Sequence, residues 1–189
     1  HLVKRMAKRT DQERQQRFDQ FWNELDQDGS GELSYDEFKV FLKKYNEKEM
    51  PEKQYDFFFK GTDVDGGGSI GKKEMFDLVK ALDTGDQLYI NKLFFRAVDK
   101  DRSNEIDAEE FCTMAELNGR TMTQEQAQAQ IAKLTNGGST MNFAQMHKAL
   151  TGQDIPANTD PYDGQNQKKE TPKNEEKPKK EEKPKKEEN

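Results

Sequence analysis

Asp26, Asp63 and Asp99 each open a 12-residue segment crowded with oxygen-bearing side chains, and they stand 37 and 36 residues apart. The first segment runs Asp26-Gln27-Asp28-Gly29-Ser30-Gly31-Glu32-Leu33-Ser34-Tyr35-Asp36-Glu37, with side-chain oxygens at positions 1, 3, 5 and 12 and glycine at 6. The second carries Asp63, Asp65 and Glu74 at positions 1, 3 and 12, Gly68 at 6, but Gly67 at 5. The third carries Asp99, Asp101, Ser103 and Glu110 at positions 1, 3, 5 and 12, with Asn104 at 6. A hard cation such as calcium takes about six to eight oxygen ligands. A short segment supplies them when alternate residues point inward and a permissive residue makes the sharp turn. A carboxylate beyond the turn then closes the shell with both oxygens. An acidic surface loop explains one such segment. It does not explain three at a period that marks a repeated supersecondary unit.

The flanks of these segments supply the elements that hold them. Phe18, Phe21, Trp22 and Leu25 precede the first at i, i+3, i+4, i+7 spacing, and Phe38, Phe41, Leu42 and Tyr45 follow it at the same spacing. Each set is one apolar face of an amphipathic helix. Tyr55, Phe58 and Phe59 precede the second segment, and Met75, Leu78, Val79 and Leu82 follow it. Phe94, Phe95 and Val98 precede the third, and Phe111 and Met114 follow it. The unit is helix, loop, helix, three times over.

In these residues and spacings the chain resembles the EF-hand calcium-binding superfamily, specifically four-hand proteins like calmodulin and troponin C, over roughly Phe18 to Leu150. The resemblance implies an all-α fold with two paired lobes, four helix-loop-helix units and Ca²⁺ at three of them, with Mg²⁺ a competitor. It implies that Asp26, Asp28, Ser30, Glu32, Ser34 and Glu37 hold the first ion, Glu32 through its carbonyl and Ser34 directly or through water. It assigns Asp63, Asp65, Gly67, Ser69 and Glu74 to the second, and Asp99, Asp101, Ser103, Glu105, Asp107 and Glu110 to the third. Gly67 offers no side chain, so water or backbone must fill that vertex, and the three glycines Gly66 to Gly68 add ordering entropy. The second site is therefore expected to bind more weakly than the first. Asn104 is expected to adopt the left-handed backbone that glycine adopts in the other loops. Leu33 is expected to form a short β-bridge with the partner loop.

Pairing of hands requires a fourth unit near Leu134. The segment Leu134-Thr135-Asn136-Gly137-Gly138-Ser139-Thr140-Met141-Asn142-Phe143-Ala144-Gln145 fills it, in a frame that opens at Leu134 or, one residue shorter, at Thr135. Neither frame opens on an acid, and both end on Gln145. It reads as a degenerate hand that binds no calcium. Its helix faces are expected to be Ala127/Ile131/Leu134 and Met146/Ala149/Leu150, with Met141 at the β-bridge.

The organisation that follows is a basic N-terminal extension over 1–17, lobes over 18–83 and 87–152, and a disordered Lys/Glu/Pro tail over 164–189. Residues His1 to Arg17 carry a net charge of +4 and Gln165 to Asn189 a net +2, while Phe18 to Asp163 carries −12, for a total of −6. The tail has no hydrophobic residue and cannot offset its own ordering entropy. Met6 reads as the natural start, and no signal-peptide pattern is visible. No apolar run approaches the ~20 residues of a membrane span. The acidic body argues against nucleic-acid binding. Cys112 is the only cysteine, so an intrachain disulfide is excluded. A cytoplasmic location, or a nuclear one, is expected. So is a monomer.

Asp83-Thr84-Gly85-Asp86 is expected to join the lobes by a short bent or flexible connector. Met114, Met122, Met141 and Met146 are expected to favour a groove in the second lobe that grips an amphipathic helix of a target protein. The leading expectation is a calcium sensor or adaptor. The alternatives are a buffer that barely changes shape, or a noncatalytic regulatory subunit held constitutively. An enzyme is not expected. The convergent carboxylates are all loop residues, His147 reads as a surface residue, and no phosphate loop is present. Contact of the basic N-terminus with acidic lipid is a lesser reading than a solvated helix end.

Overall fold

The computed structural model describes residues 10–46 and 49–165. The Met6 start, most of the basic N-terminal extension and the Lys/Glu/Pro tail lie outside them. Eight helices and four two-residue strands are found among the described residues. They fall into four helix-loop-helix units: α1 (Asp11–Leu25) and α2 (Tyr35–Asn46), α3 (Glu52–Thr62) and α4 (Lys72–Thr84), α5 (Gln87–Val98) and α6 (Ala108–Leu117), α7 (Gln124–Leu134) and α8 (Phe143–Thr151). Five of the helices start where a side chain caps them, α1, α5, α6, α7 and α8. Thr10 and Glu13 form a reciprocal capping box at α1, as do Asp107 and Glu110 at α6, Thr123 and Gln126 at α7, and Asn142 and Gln145 at α8. Each box satisfies two N–H groups that the first turn leaves without partners.

The strands join the loops in pairs. β1 (Glu32–Leu33) runs antiparallel to β2 (Ile70–Gly71) with Leu33 opposite Ile70, and β3 (Glu105–Ile106) to β4 (Met141–Asn142) with Ile106 opposite Met141. These four bridge residues are fully buried. The chain is all-α, in paired EF-hand-type lobes, and its strands serve only to pair the loops.

Two cores result. The first gathers Phe18, Trp22, Leu25, Phe38, Phe41, Leu42, Tyr55, Phe59, Met75, Leu78 and Val79 around the first bridge. The second gathers Phe95, Val98, Phe111, Ala127, Ile131, Phe143 and Met146 around the other. The helical faces read from the sequence are these cores, with exceptions in the fourth unit. Leu134 and Leu150 are 43% and 53% exposed, and Ala149 is exposed, whereas Phe143 and His147 turn inward. His147 is buried against Asn91, with Nδ2 of Asn91 3.0 Å from its Nδ1, so the surface reading of His147 is corrected. Met141 and Met146 are fully buried core residues, and Met114 and Met122 are half-buried beside them.

The connector is a bend of two residues. Gly85 ends α4 in the left-handed conformation, φ +69°, and Asp86 caps α5 through its side chain. The lobes are not held apart by it. α3 packs along α5 more extensively than any other helix pair. Gly61 makes this approach possible, because a Cβ there would lie 2.5 Å from the Leu93 carbonyl oxygen. Phe57 meets Phe94 edge-on at 5.2 Å, and Val64 of the first lobe is part of the second core. The chain beyond α8 also returns to this boundary. Tyr162 is fully buried in the second core, and Arg96 donates to the carbonyls of Gly61 (2.6 Å) and Pro161 (2.7 Å).

Candidate metal centres

Each incoming helix ends on the first acid of its loop. Asp26, Asp63 and Asp99 are the C-caps of α1, α3 and α5. Each outgoing helix starts two residues before the last acid, which puts Glu37, Glu74 and Glu110 in its first turn. The loop thus folds both ends of the segment onto one point. Asp26, Asp28 and Glu37 offer carboxylate oxygens within 4.8 Å of one another, and so do Asp63, Asp65 and Glu74, and Asp99, Asp101 and Glu110.

The last glutamate ties each loop shut. In the first loop Glu37 accepts from the N–H groups of Gln27 (3.0 Å) and Ser34 (2.9 Å). Glu74 accepts from Val64 (2.6 Å) and Gly71 (2.8 Å), and Glu110 from Lys100 (2.7 Å) and Asp107 (3.1 Å). The first aspartate organises the turn. Its outer oxygen accepts from the N–H at position 6, that of Gly31 (2.9 Å), Gly68 (3.0 Å) or Asn104 (3.0 Å). Asn104 stands at φ +66°, beside +84° and +85° for Gly31 and Gly68. The left-handed turn is made without glycine, as the short polar side chain allows.

Ser30 and Ser103 complete the convergence. The Ser30 hydroxyl lies 3.4 Å from Asp26 Oδ1 and 2.8 Å from the Glu32 carbonyl, and that of Ser103 lies 3.4 Å from Asp99 Oδ1 and 2.9 Å from the Glu105 carbonyl. The Glu32 and Glu105 side chains turn away to hydroxyls of the paired loops, Ser69 and Thr140, leaving the carbonyls facing inward. Ser34 and Asp107 sit at the helix starts. The Ser34 hydroxyl bonds Glu37 at 2.7 Å, and the Asp107 carboxylate accepts from Glu110 N–H at 2.9 Å, so neither joins the three-carboxylate cluster of its loop. The Gly67 N–H donates to Asp65 at 2.7 Å, as those of Ser30 and Ser103 do to Asp28 (2.9 Å) and Asp101 (3.0 Å), but Gly67 adds no side-chain oxygen.

The loops differ in burial, and their carboxyl groups differ accordingly. The Ser30 hydroxyl and N–H hold Asp28 below its usual range, and the Ser34 hydroxyl does the same for Glu37. Burial pushes Asp63, Glu74 and Asp99 above theirs, and takes Glu110 up to about 7. Asp63 Oδ1 is buried with no hydrogen-bond partner. A buried carboxylate oxygen without a donor is costly. A divalent cation at this point satisfies it, so the donor set fits calcium.

The fourth loop has the frame but not the charge. Thr135 caps α7 where the other loops place aspartate, and Met141 reaches the bridge after six residues rather than seven. This is the shorter of the two readings. Gln145 bonds the Asn142 N–H at 2.9 Å, so it keeps the capping function of the last glutamate and drops the charge.

Tyr162 also reaches the third centre. Its hydroxyl donates to Asp99 Oδ2 at 2.8 Å from 63 residues away. No local pattern marks a contact of that separation.

Two family descriptions match the chain, an EF-hand domain pair over residues 10–80 and an EF hand over residues 90–115. Among curated proteins it is similar to troponin C of Tachypleus tridentatus, 32% identical over 96 residues covering 48% of this chain and 61% of that protein. It is also similar to a calcineurin subunit of Naegleria gruberi, 30% identical over 93 residues covering 46% and 52%. The probable calcium-binding protein CML25 of Arabidopsis thaliana is 32% identical over 100 residues covering 51% and 52%. The chain thus spans about half to three-fifths of the length of these relatives. With the loop geometry, the paired bridges and these matches in agreement, the chain belongs to the EF-hand calcium-binding superfamily, as a four-hand protein of the calmodulin and troponin C kind.

Proposed function

We propose that the chain binds three calcium ions, one in each of the first three loops, and acts as a calcium sensor that engages an amphipathic helix of a target protein. The side chains of Asp26, Asp28, Ser30 and Glu37, of Asp63, Asp65 and Glu74, and of Asp99, Asp101, Ser103 and Glu110 face the ions, with the carbonyls of Glu32, Ser69 and Glu105. Ser34 and Asp107 act from the helix start, by water or by charge. Magnesium competes for the same oxygens. A target-binding reading rests on a cleft of about 400 Å³ in the second lobe, lined by Ile90, Phe94 and Leu150 with Gln87, Asn91, Asn118 and Thr151 at its polar edge. The cleft is open, and its mixed lining of three apolar and four polar residues suits one face of an amphipathic helix.

A buffer is the second reading. It is favoured by the burial of Met141 and Met146 and by the buried Arg96 that ties α5 to α3. A subunit held constitutively by a larger assembly is the third, in line with the name of the calcineurin relative. Titration of the calcium-free chain with Ca²⁺ in a dye that brightens on apolar surface separates the first two. The sensor reading predicts a rise that saturates with the ions, and a flat response overturns it. Retention of a partner under chelator would favour the third. A cytoplasmic monomer with Cys112 as a free thiol is part of the proposal.

A further inference from the structure

Beyond the α3–α5 packing, the lobes also meet through the loops of the second and third centres. Arg102 holds position 4 of the third loop. The other two intact loops have glycine there, Gly29 at φ +70° and Gly66 at φ +76°, and Arg102 adopts the same left-handed backbone at φ +56°. A long side chain at such a position is disfavoured unless it does something glycine cannot. Its guanidinium crosses the lobe boundary and donates to the carbonyls of Asp63 (3.4 Å) and Val64, the first two residues of the second loop. Gly66 leaves the room, since a Cβ there would lie 3.0 Å from Arg102 Nη1. The same guanidinium lies over the Tyr162 ring, 4.4 Å from its centroid. The Tyr162 hydroxyl then donates to Asp99 Oδ2, in the first carboxylate of the third centre. Arg102 is 7% exposed and Tyr162 is fully buried. One line of contacts runs from the backbone of the second loop, through guanidinium and phenol, to a carboxylate of the third.

We propose that Arg102 and Tyr162 couple the second and third calcium centres across the lobe boundary, so that an ion in one raises the affinity of the other. The sign follows from ordering. An ion in the second loop fixes the glycine-rich stretch Gly66 to Gly68 and with it the carbonyls that hold Arg102. A fixed Arg102 holds Tyr162, and Tyr162 orients Asp99. The third centre then has less to order when its own ion arrives. The fourth loop has no carboxylate, so the third centre has no ion-binding neighbour in its own lobe, and the second centre takes that role. Thermodynamic reciprocity requires the effect to be equal in both directions.

The proposal rests on calcium binding at these two loops, and the test separates the two ideas. In the full chain, the amide resonances of Gly68 and Asn104 report the second and third centres, because each donates to the first aspartate of its loop. Ca²⁺ alone is the probe. Glu74→Gln is expected to weaken the third centre, read at Asn104, by about fivefold or more, within the usual range of coupling. Glu110→Gln is expected to weaken the second, read at Gly68, by the same factor. In Tyr162→Phe, which loses only the hydroxyl, and in Arg102→Gly, which carries the residue of the sister loops, Glu74→Gln should change the third centre by less than about twofold. Calcium-free Tyr162→Phe should also exchange the Asn104 amide faster. An unchanged third centre in native Glu74→Gln, or an equal loss with and without Arg102, overturns the coupling. An Asn104 amide that ignores calcium in the native chain overturns the site assignment itself, and the coupling with it.

Discussion

The carboxyl groups of the three loops are alike in spacing and unlike in surroundings. Glu110 is 5% exposed, and burial lifts it to about 7 in the folded chain against about 4.5 in an unfolded one. A group whose folded value is raised stabilises the folded state below its unfolded value, and that contribution is lost as pH rises through the folded value. The calcium-free chain is therefore expected to melt at a lower temperature as pH rises from about 5 to 8, and Glu110→Gln should flatten this slope. An equal slope in both proteins contradicts the assignment. The same substitution removes the closing carboxylate of the third centre. Loss of outer partners of a metal already costs about 10–100-fold in affinity, so losing Glu110 should cost at least this at that centre, measured by calorimetric titration, while leaving the first centre within about twofold. Spacing alone gave away which acids converge. It could not give the difference in burial between Asp28 and Asp99, because burial is set by what other parts of the chain place over the loop.

At the scale of elements, the helices and bridges were legible because their determinants are local. Apolar faces at 3.6-residue spacing and polar residues three positions ahead of a glutamate or glutamine specify both a helix and its start. The fourth unit shows where that reading fails. Leu134 and Leu150 continue an apolar pattern but lie at the surface, and His147 breaks it but is buried, because α5 supplies Asn91 as its partner. The α3–α5 crossing was equally hidden, since Gly61 inside a helix reads only as a weak helix former. Gly61→Ala should press on the Leu93 backbone and destabilise the chain by about 1–3 kcal/mol, lowering the calcium-free melting temperature by several degrees. Met141→Ala should cost about 2–5 kcal/mol by opening a cavity under the second bridge. A neutral Gly61→Ala in thermal denaturation would show that the helices do not approach as described.

At the scale of the whole molecule, two lobes are joined along α3 and α5, where Arg96 bonds the Gly61 carbonyl, and at the loops, by Val64, Arg102 and Tyr162. Ion pairs also close the first lobe on itself. Arg14 reaches Asp83 at 3.0 Å and Lys80 reaches Asp11 at 2.8 Å, which ties α1 to the end of α4. No helix among the described residues is long and apolar enough to cross a membrane. The formal charge of −6 is matched by the charge of three divalent ions. With three calcium centres and a fourth loop that binds none, the ions are counted directly by native mass spectrometry of the calcium-saturated chain. The expected limiting mass is three Ca²⁺ per chain, falling to two in Glu37→Gln, Glu74→Gln or Glu110→Gln and unchanged in Gln145→Ala. Four ions bound to the native chain, or fewer than three, would contradict it.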